Sequence, residues 1–351
     1  MAFGGFLAVL AALSFGAVVP LTQRAGHHVG PFSTAALLYG GACGFAALVM
    51  AGSRQRRAPL RRADAGRVAV VAILGAAVAP TLLAWGLQRV TGTTAALLLN
   101  FEAVFTVLLA RLVWREPFGA RVTLALATIF AGGVLLLSGA TSTSSSASGW
   151  TSGWTSWGGV AVVLATLAWA AENVVSRPLA ERDPFAVVFA KSALGCAVTA
   201  TIAVVARDVP ARGWRGLSLV ACGAVGYGLS LAFYLRAQRQ IGSARTASIF
   251  ALAPFVGAVA AWAMGDRGLT ASTGAAAILF ATGVTLHLTE RHRHRHRHDH
   301  LVHEHPHRHD DGHHFHAHDP PVLGEHTHPH THEPLEHDHP HGPDLHHRHH
   351  H

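Results

Sequence analysis

Charge is scarce in this sequence. Only 13% of its 351 residues are Asp, Glu, Lys or Arg, against about a quarter in soluble chains, and that deficit excludes a water-soluble fold for most of the chain. Lysine is scarcer still, with Lys191 the only one, so positive charge rests on arginine. The arginines lie in short gaps between apolar runs, with no basic stripe interleaved with aromatic platforms, which argues against a nucleic-acid surface. Cysteine is limited to Cys43, Cys196 and Cys222, all inside apolar runs at no metal-ligand spacing. They read as small buried hydrophobes. The first residues, MAFGGFLAVLAALSFG, lack the basic flank of a signal peptide, so cleavage is not expected.

What is abundant is apolar length. Half of the residues are hydrophobic, and runs of about twenty residues, enough to cross a bilayer core as helix, recur along the chain. They can be bracketed near 4–22, 32–52, 67–87, 93–113, 121–139, 158–176, 185–206, 216–235, 246–264 and 271–289. The expectation is an all-α membrane protein of ten transmembrane helices. The gaps carry breakers: Pro31, Pro59, Gly92, Pro117, the Ser/Gly/Trp-rich 141–158, Pro184, Pro210 and Gly242.

The sequence also repeats. GGFLAVLAALSFGAVV at 4–19 matches GGVAVVLATLAWAAENVV at 158–175, Pro31-Phe32 recurs as Pro184-Phe185, Glu116 as Asp266, and Gly133-Val134 as Gly283-Val284. This predicts a first five-helix unit over 1–140, a linker over 141–157 and a second unit over 158–290. Five is odd, so consecutive units must run in opposite orientations, and equivalent gaps should then differ in arginine content. They do. Arg54, Arg56, Arg57, Arg61, Arg62 and Arg67 face only Arg207, Arg212 and Arg215, and Arg111, Arg115 and Arg121 face Arg267. Conversely, Arg236, Arg239 and Arg245 face Arg89, and Arg177 and Arg182 face Arg24. All four comparisons place both termini in the cytoplasm and make the repeat an inverted one, with a site expected near the midplane.

The segments ALLLNFEAVFTVLLARLVWREPFGARVTLALATIFAGGVLLL at 96–137 and ARTASIFALAPFVGAVAAWAMGD at 244–266 resemble the signature segments of EamA domains of the drug/metabolite transporter superfamily. GYGLSLAFYLRAQRQIGSART at 226–246, WAAENVVSRPLAERDP at 169–184 and the ending PDLHHRHHH further resemble a bacterial branch with histidine-rich tails. The resemblance covers residues 1–290 and implies a carrier for small metabolites or drug-like solutes, often exporting them, in the inner (cytoplasmic) membrane, with no required cofactor and no enzymatic reaction. The first signature departs from the pattern, reading Glu102-Ala103 where many relatives carry proline, whereas the second keeps Pro254.

Between the span edges the ionisable residues are few: Glu102, Glu172 and Lys191, with Arg111 and His287 at helix ends. An unpaired charge in the bilayer core costs several kcal/mol, which makes each one a functional or structural marker. Glu102, beside Asn100, is expected either to carry a coupling proton or to serve as polar glue between helices. Glu172, beside Asn173, lies at a depth similar to that of Lys191, so that Glu172–Lys191 and Glu102–Lys191 pairs are both open, as is a snorkelling lysine. Pro254 frees a carbonyl that can line a cavity or merely kink the helix. Together Glu102, Asn100, Glu172, Asn173, Lys191 and Pro254 form the expected substrate and proton pathway.

From residue 291 the composition changes: 6 Arg stand against 10 Asp and Glu, leaving 21 basic against 9 acidic residues for 1–290, and 25 of the 28 histidines fall here. Few apolar residues and frequent proline predict a disordered tail over 291–351. Its imidazoles are ligands for Zn, Ni or Co, with His292, His294, His296, His298, His300, His303, His305, His307, His309, His313 and His314 as the expected metal set. Expected partners are thus the lipid bilayer, a small-molecule solute and divalent transition metals; a homodimer is compatible with the sequence. Three functions compete: a metabolite carrier with a metal-binding regulatory tail, a transition-metal carrier using the tail as a collecting arm, and a non-transporting sensor or scaffold. The scarcity of ligands inside the spans favours the first.

Overall fold

The computed structural model describes residues 2–52, 59–114, 120–142, 151–176, 178–179, 182–241, 243–266, 270–288, 295–298, 301–307, 326–332 and 335–338. The chain divides into two units, Met1–Glu290 and Arg291–His351. Among the described residues of the first, eight stretches are long and apolar enough to cross a membrane, and Ala253–Ala263 and Ala271–Leu286 are shorter apolar helices. The helices of the first repeat are α1 (Ala2–Gly26), α2 (Pro31–Gly52), α3 (Ala65–Val71), α4 (Ala79–Leu87), α5 (Gly92–Leu98), α6 (Phe101–Trp114) and α7 (Ala120–Ser142). Those of the second are α8 (Thr151–Ser176), α9 (Pro184–Val205), α10 (Trp214–Cys222), α11 (Ser230–Ile241), α12 (Ser243–Phe250), α13 (Ala253–Ala263) and α14 (Ala271–Leu288). α7 and α8 reach into the expected linker from both sides; residues 143–150 lie outside the described ones.

Helix is the dictated backbone here, since a peptide group facing lipid must find its partner within its own segment. Starts are marked by short polar devices. Thr91 caps α5 by accepting from Thr94 N at 3.2 Å, and Asp183 caps α9 through Phe185 N at 3.0 Å with Pro184 in the first turn. The first turn of α2 is capped from the other repeat, because the Asp208 carboxylate accepts from Phe32 N at 2.8 Å and Ser33 N at 3.0 Å. Asp266 does the same for α5, accepting from Thr93 N at 2.9 Å. Arg24 donates to the Met264 carbonyl at 3.1 Å, and Arg215 to that of His27. These links gather the turns after α1, α4, α9 and α13 at one end of the bundle. At the opposite end Arg182 Nε pairs with Asp64 Oδ2 at 2.8 Å.

Two departures from α-helix sit at equivalent places. Ala72–Val78 and Gly223–Leu229, 151 residues apart, are π-helical. The first precedes Pro80, which has no N–H to donate. Each π-segment is met at close range by a glycine of the other repeat. A Cβ on Gly195 in α9 would lie 2.8 Å from the Ala76 carbonyl oxygen, and one on Gly41 in α2 would collide with the Val220 carbonyl, in the turn leading into the second π-segment. The α7–α14 pair uses the same device, with Gly132 against Leu279 and Phe280 and Gly283 against Ile129. Small residues let backbones approach where lipid supplies no hydrophobic drive between helices.

Among the described residues of the tail, four short strands, β1 (Arg295–His298), β2 (Leu301–His307), β3 (His326–His332) and β4 (Leu335–Asp338), form two antiparallel pairs, β1 with β4 and β2 with β3. Alternation of histidine with other residues has the two-residue period of a strand; the rest of 291–351 lies outside the described residues. In the β2–β3 register His303, His305 and His307 stand opposite His330, His328 and His326.

The glycine contacts give a direct test. Gly195→Val should lower the melting temperature of the purified protein, by an amount equivalent to about 1–3 kcal/mol of overpacking, whereas Gly44→Ala, which meets nothing within 4 Å, should leave it unchanged. Equal melting of Gly195→Val and wild type would contradict the close α9–π contact.

Candidate functional site

Two interrupted helices frame the centre of the bundle. Between α5 and α6 the amides of Leu99, Asn100 and Glu102 reach back only three residues, to the carbonyls of Ala96, Leu97 and Leu99 at 3.2, 3.2 and 3.1 Å. The buried Asn100 side chain adds a second donor to one of these carbonyls, with Nδ2 donating to Leu97 O at 2.8 Å. Between α12 and α13 the break falls at Ala251-Leu252, and Pro254, with no N–H for the Phe250 carbonyl, accounts for it. α5 and α13 pack antiparallel: Cβ atoms on Gly92 and Gly257 would each lie 3.0 Å from the Cβ atoms of Ala261 and Ala96. Extending that register by one turn sets Asn100 beside Ala253, so the breaks meet. Glu102 stands at the place Pro254 holds in the second repeat.

Against this frame lies a set of buried polar groups. The Gly75 carbonyl, inside the first π-segment, accepts two hydrogen bonds, from Tyr39 Oη at 2.5 Å and Trp169 Nε1 at 3.0 Å. Glu172 packs directly on Gly75, where a Cβ would overlap its carboxylate. Lys191 Nζ pairs with Glu172 Oε1 at 2.5 Å, and the two side chains are 19% and 8% exposed. Of the two partners open to Lys191 from sequence, the geometry selects Glu172, and the lysine does not snorkel away from it. Glu102 accepts from Asn173 Nδ2 at 2.9 Å. The Glu102 side chain is partly exposed.

The structure thus brings Glu102, Asn173, Glu172 and Lys191 into one neighbourhood, bordered by the breaks that Asn100 and Pro254 mark. It also supplies what the sequence reading missed: Tyr39, Trp169 and Tyr227. Tyr227, in the second π-segment, packs on Tyr39, Phe15 and Trp169 with ring centroids at 5.3, 5.7 and 6.5 Å. Two signals pointed to them. The chain has only three tyrosines, and Phe15 and Trp169 occupy equivalent places in the repeat. Among the tail histidines, His292, His294, His300, His309, His313 and His314 lie outside the described residues, while His296, His298, His303, His305 and His307 fall on strands. Among the described residues, no three His, Cys, Asp or Glu gather as metal ligands.

The profile of the EamA-like transporter family matches residues 2–138 and 156–289. The chain belongs to that family. The two matches coincide with the two helical repeats described above. The chain is 27% identical over 236 residues to an "Uncharacterized transporter" of Methanothermobacter thermautotrophicus, a match spanning 66% of each chain and so just under two thirds of that relative. A solved crystal structure superposes with a TM-score of 0.57 at 17% identity, covering 81% of this chain and 95% of that one, a likeness of fold. The family is one of membrane transporters and not of enzymes.

The ion pair generates a stability prediction for this EamA-like bundle. Lys191→Met strands a buried carboxylate and should cost about 3–5 kcal/mol, while Glu172→Gln/Lys191→Met should recover most of that loss. Thermal unfolding of the singles and the double, read as a cycle, checks it. Strictly additive losses would show that the two side chains do not interact.

Proposed function

We propose that this chain is a secondary carrier for a small metabolite or drug-like solute, working in the export direction across a cytoplasmic membrane. Ten crossings in two inverted five-helix units, with both ends cytoplasmic, are the topology this requires, and the arginine asymmetry of equivalent gaps supports it. The observation that carries the reading is the pair of interrupted helices, packed antiparallel through α5 and α13. Discontinuous helices at the interface of two repeats supply free backbone groups and a pocket around which one repeat can rock against the other. Five links from one repeat to the other at a single end, by Asp208, Asp266, Arg24, Arg215 and Gly30 N to Val209 O at 2.8 Å, act as a closed gate on that side. Glu102, Asn173 and the Glu172–Lys191 pair form the pathway, with Glu102 as the group that loads and releases a proton or solute.

The tail acts in this reading as a regulatory arm binding Zn, Ni or Co, and the opposed histidines of β2 and β3 support that chemistry. Its density of imidazoles also favours a second reading, in which metal is the cargo. Flux into vesicles separates the two. A carrier of organic solutes retains basal flux when residues 291–351 are removed, and Glu102→Gln loses at least tenfold in flux at unchanged membrane abundance. If truncation instead raises the metal concentration needed for half-maximal metal flux, the cargo is metal. Normal solute flux in Glu102→Gln would contradict the pathway.

A further inference from the structure

The second helix of each repeat begins in the same way and is held differently. α2 opens on Pro31 and α9 on Pro184. Neither proline has an N–H, so the first amides in need of an acceptor belong to the residues that follow. In α9 the residue before the proline supplies that acceptor, with Asp183 taking a hydrogen bond from Phe185 N at 3.0 Å. The equivalent position before α2 is Gly30, which has no side chain to offer. Asp208, from the turn after α9, takes its place. The Asp208 carboxylate lies where a Cβ on Gly30 would be, and it accepts from Phe32 N and Ser33 N at 2.8 and 3.0 Å. The cap of α2 is therefore made by the other repeat.

The opposite end of the bundle carries the reciprocal contact. Asp64 lies in the connection between α2 and α3, the counterpart of the connection between α9 and α10 that holds Asp208. It too reaches to the start of the other repeat's second helix. There the Phe185 amide is already served by Asp183, and Asp64 pairs instead with Arg182 Nε at 2.8 Å, the Asp64 and Arg182 side chains being 6% and 14% exposed. Each repeat thus sends one carboxylate to the head of the other's second helix, at opposite ends of the bundle. Asp266 is a lesser case, since the helix it meets, α5, has a cap of its own in Thr91.

Resting on the carrier reading, we propose that Asp208 on α2 and Asp64 on Arg182 are reciprocal latches, which rocking of the repeats releases one at a time. Separation at the Asp208 end uncaps α2, a loss equivalent to about two- to thirtyfold in an equilibrium constant. Separation at the Asp64 end parts a shielded ion pair. Both latches are closed in this structure.

Spin-label distances in full-length protein reconstituted in lipid vesicles test this, in a background with Cys43, Cys196 and Cys222 replaced by serine. Labels at His27→Cys with Arg212→Cys report the Asp208 end, and labels at Gly66→Cys with Ser176→Cys the Asp64 end. Asp208→Ala should add a longer component to the first distance and leave the second as it is; Arg182→Ala should do the reverse. Gly30→Asp/Asp208→Ala caps α2 from within its own repeat, as Asp183 caps α9. That variant should regain the melting temperature lost in Asp208→Ala and still show the longer first distance. A cap that only stabilises α2 would close the end again once restored, so wild-type distances in the double variant would overturn the proposal. Either single change moving both distances, or neither, would do the same. If Asp208→Ala alone fails to fold, the double variant decides. Distances that move as expected without solute flux would leave the latches standing and sink the carrier reading, whereas flux with unmoved distances would keep the carrier reading and sink the latches.

Discussion

A polar group in the bilayer core has no water to turn to, and the arrangement of this protein follows from how each such group is satisfied. Regular helix settles most of the backbone. Where the chain departs from it in the first repeat, at the break after α5 and in the π-segment, side-chain donors appear. Asn100 takes up the Leu97 carbonyl, and Tyr39 with Trp169 takes up that of Gly75. The same constraint selects the Glu172–Lys191 pair, since either charge alone would be stranded. Glu102 is the exception, and this is why function is placed there.

The scaffold is symmetric while the chemistry is not. Both repeats contain a glycine-contacted π-segment and an interrupted fourth helix. Yet proline breaks the helix in the second repeat and Glu102 stands at that position in the first. Phe15 and Trp169 are repeat mates, but only Trp169 carries a donor for Gly75 O, and Val18 is the mate of Glu172. Divergence between equivalent positions has concentrated the polar groups around one side of a pseudo-symmetric frame.

Much of this was legible in the sequence. The all-helical membrane class, the repeat and its offsets follow from hydrophobic length and small-residue spacing, both of which the bilayer enforces directly. Glu102, Glu172 and Lys191 stood out because ionisable residues in apolar spans are few. Choosing Glu172 as the partner of Lys191 required three dimensions, because residues at similar depth on neighbouring helices give one sequence no means of ranking distances. The cluster of Tyr39, Trp169 and Tyr227 was hidden for a different reason: aromatic residues in an apolar run are indistinguishable from lipid-facing residues until helix rotation is known. The Asp208 and Asp266 caps escaped notice because they act on helices far away in sequence.

In the proposed carrier, Glu102 faces water between the repeats. In a background with Cys43, Cys196 and Cys222 replaced by serine, Glu102→Cys and Leu108→Cys would be exposed in native membranes to a charged, water-soluble thiosulfonate. Leu108, an apolar residue 38% exposed on the same helix, serves as the control. Labelling should be rapid at position 102 and slow at 108. Labelling at 102 no faster than at 108 would mean that the carboxylate is packed away from water, and would contradict the site.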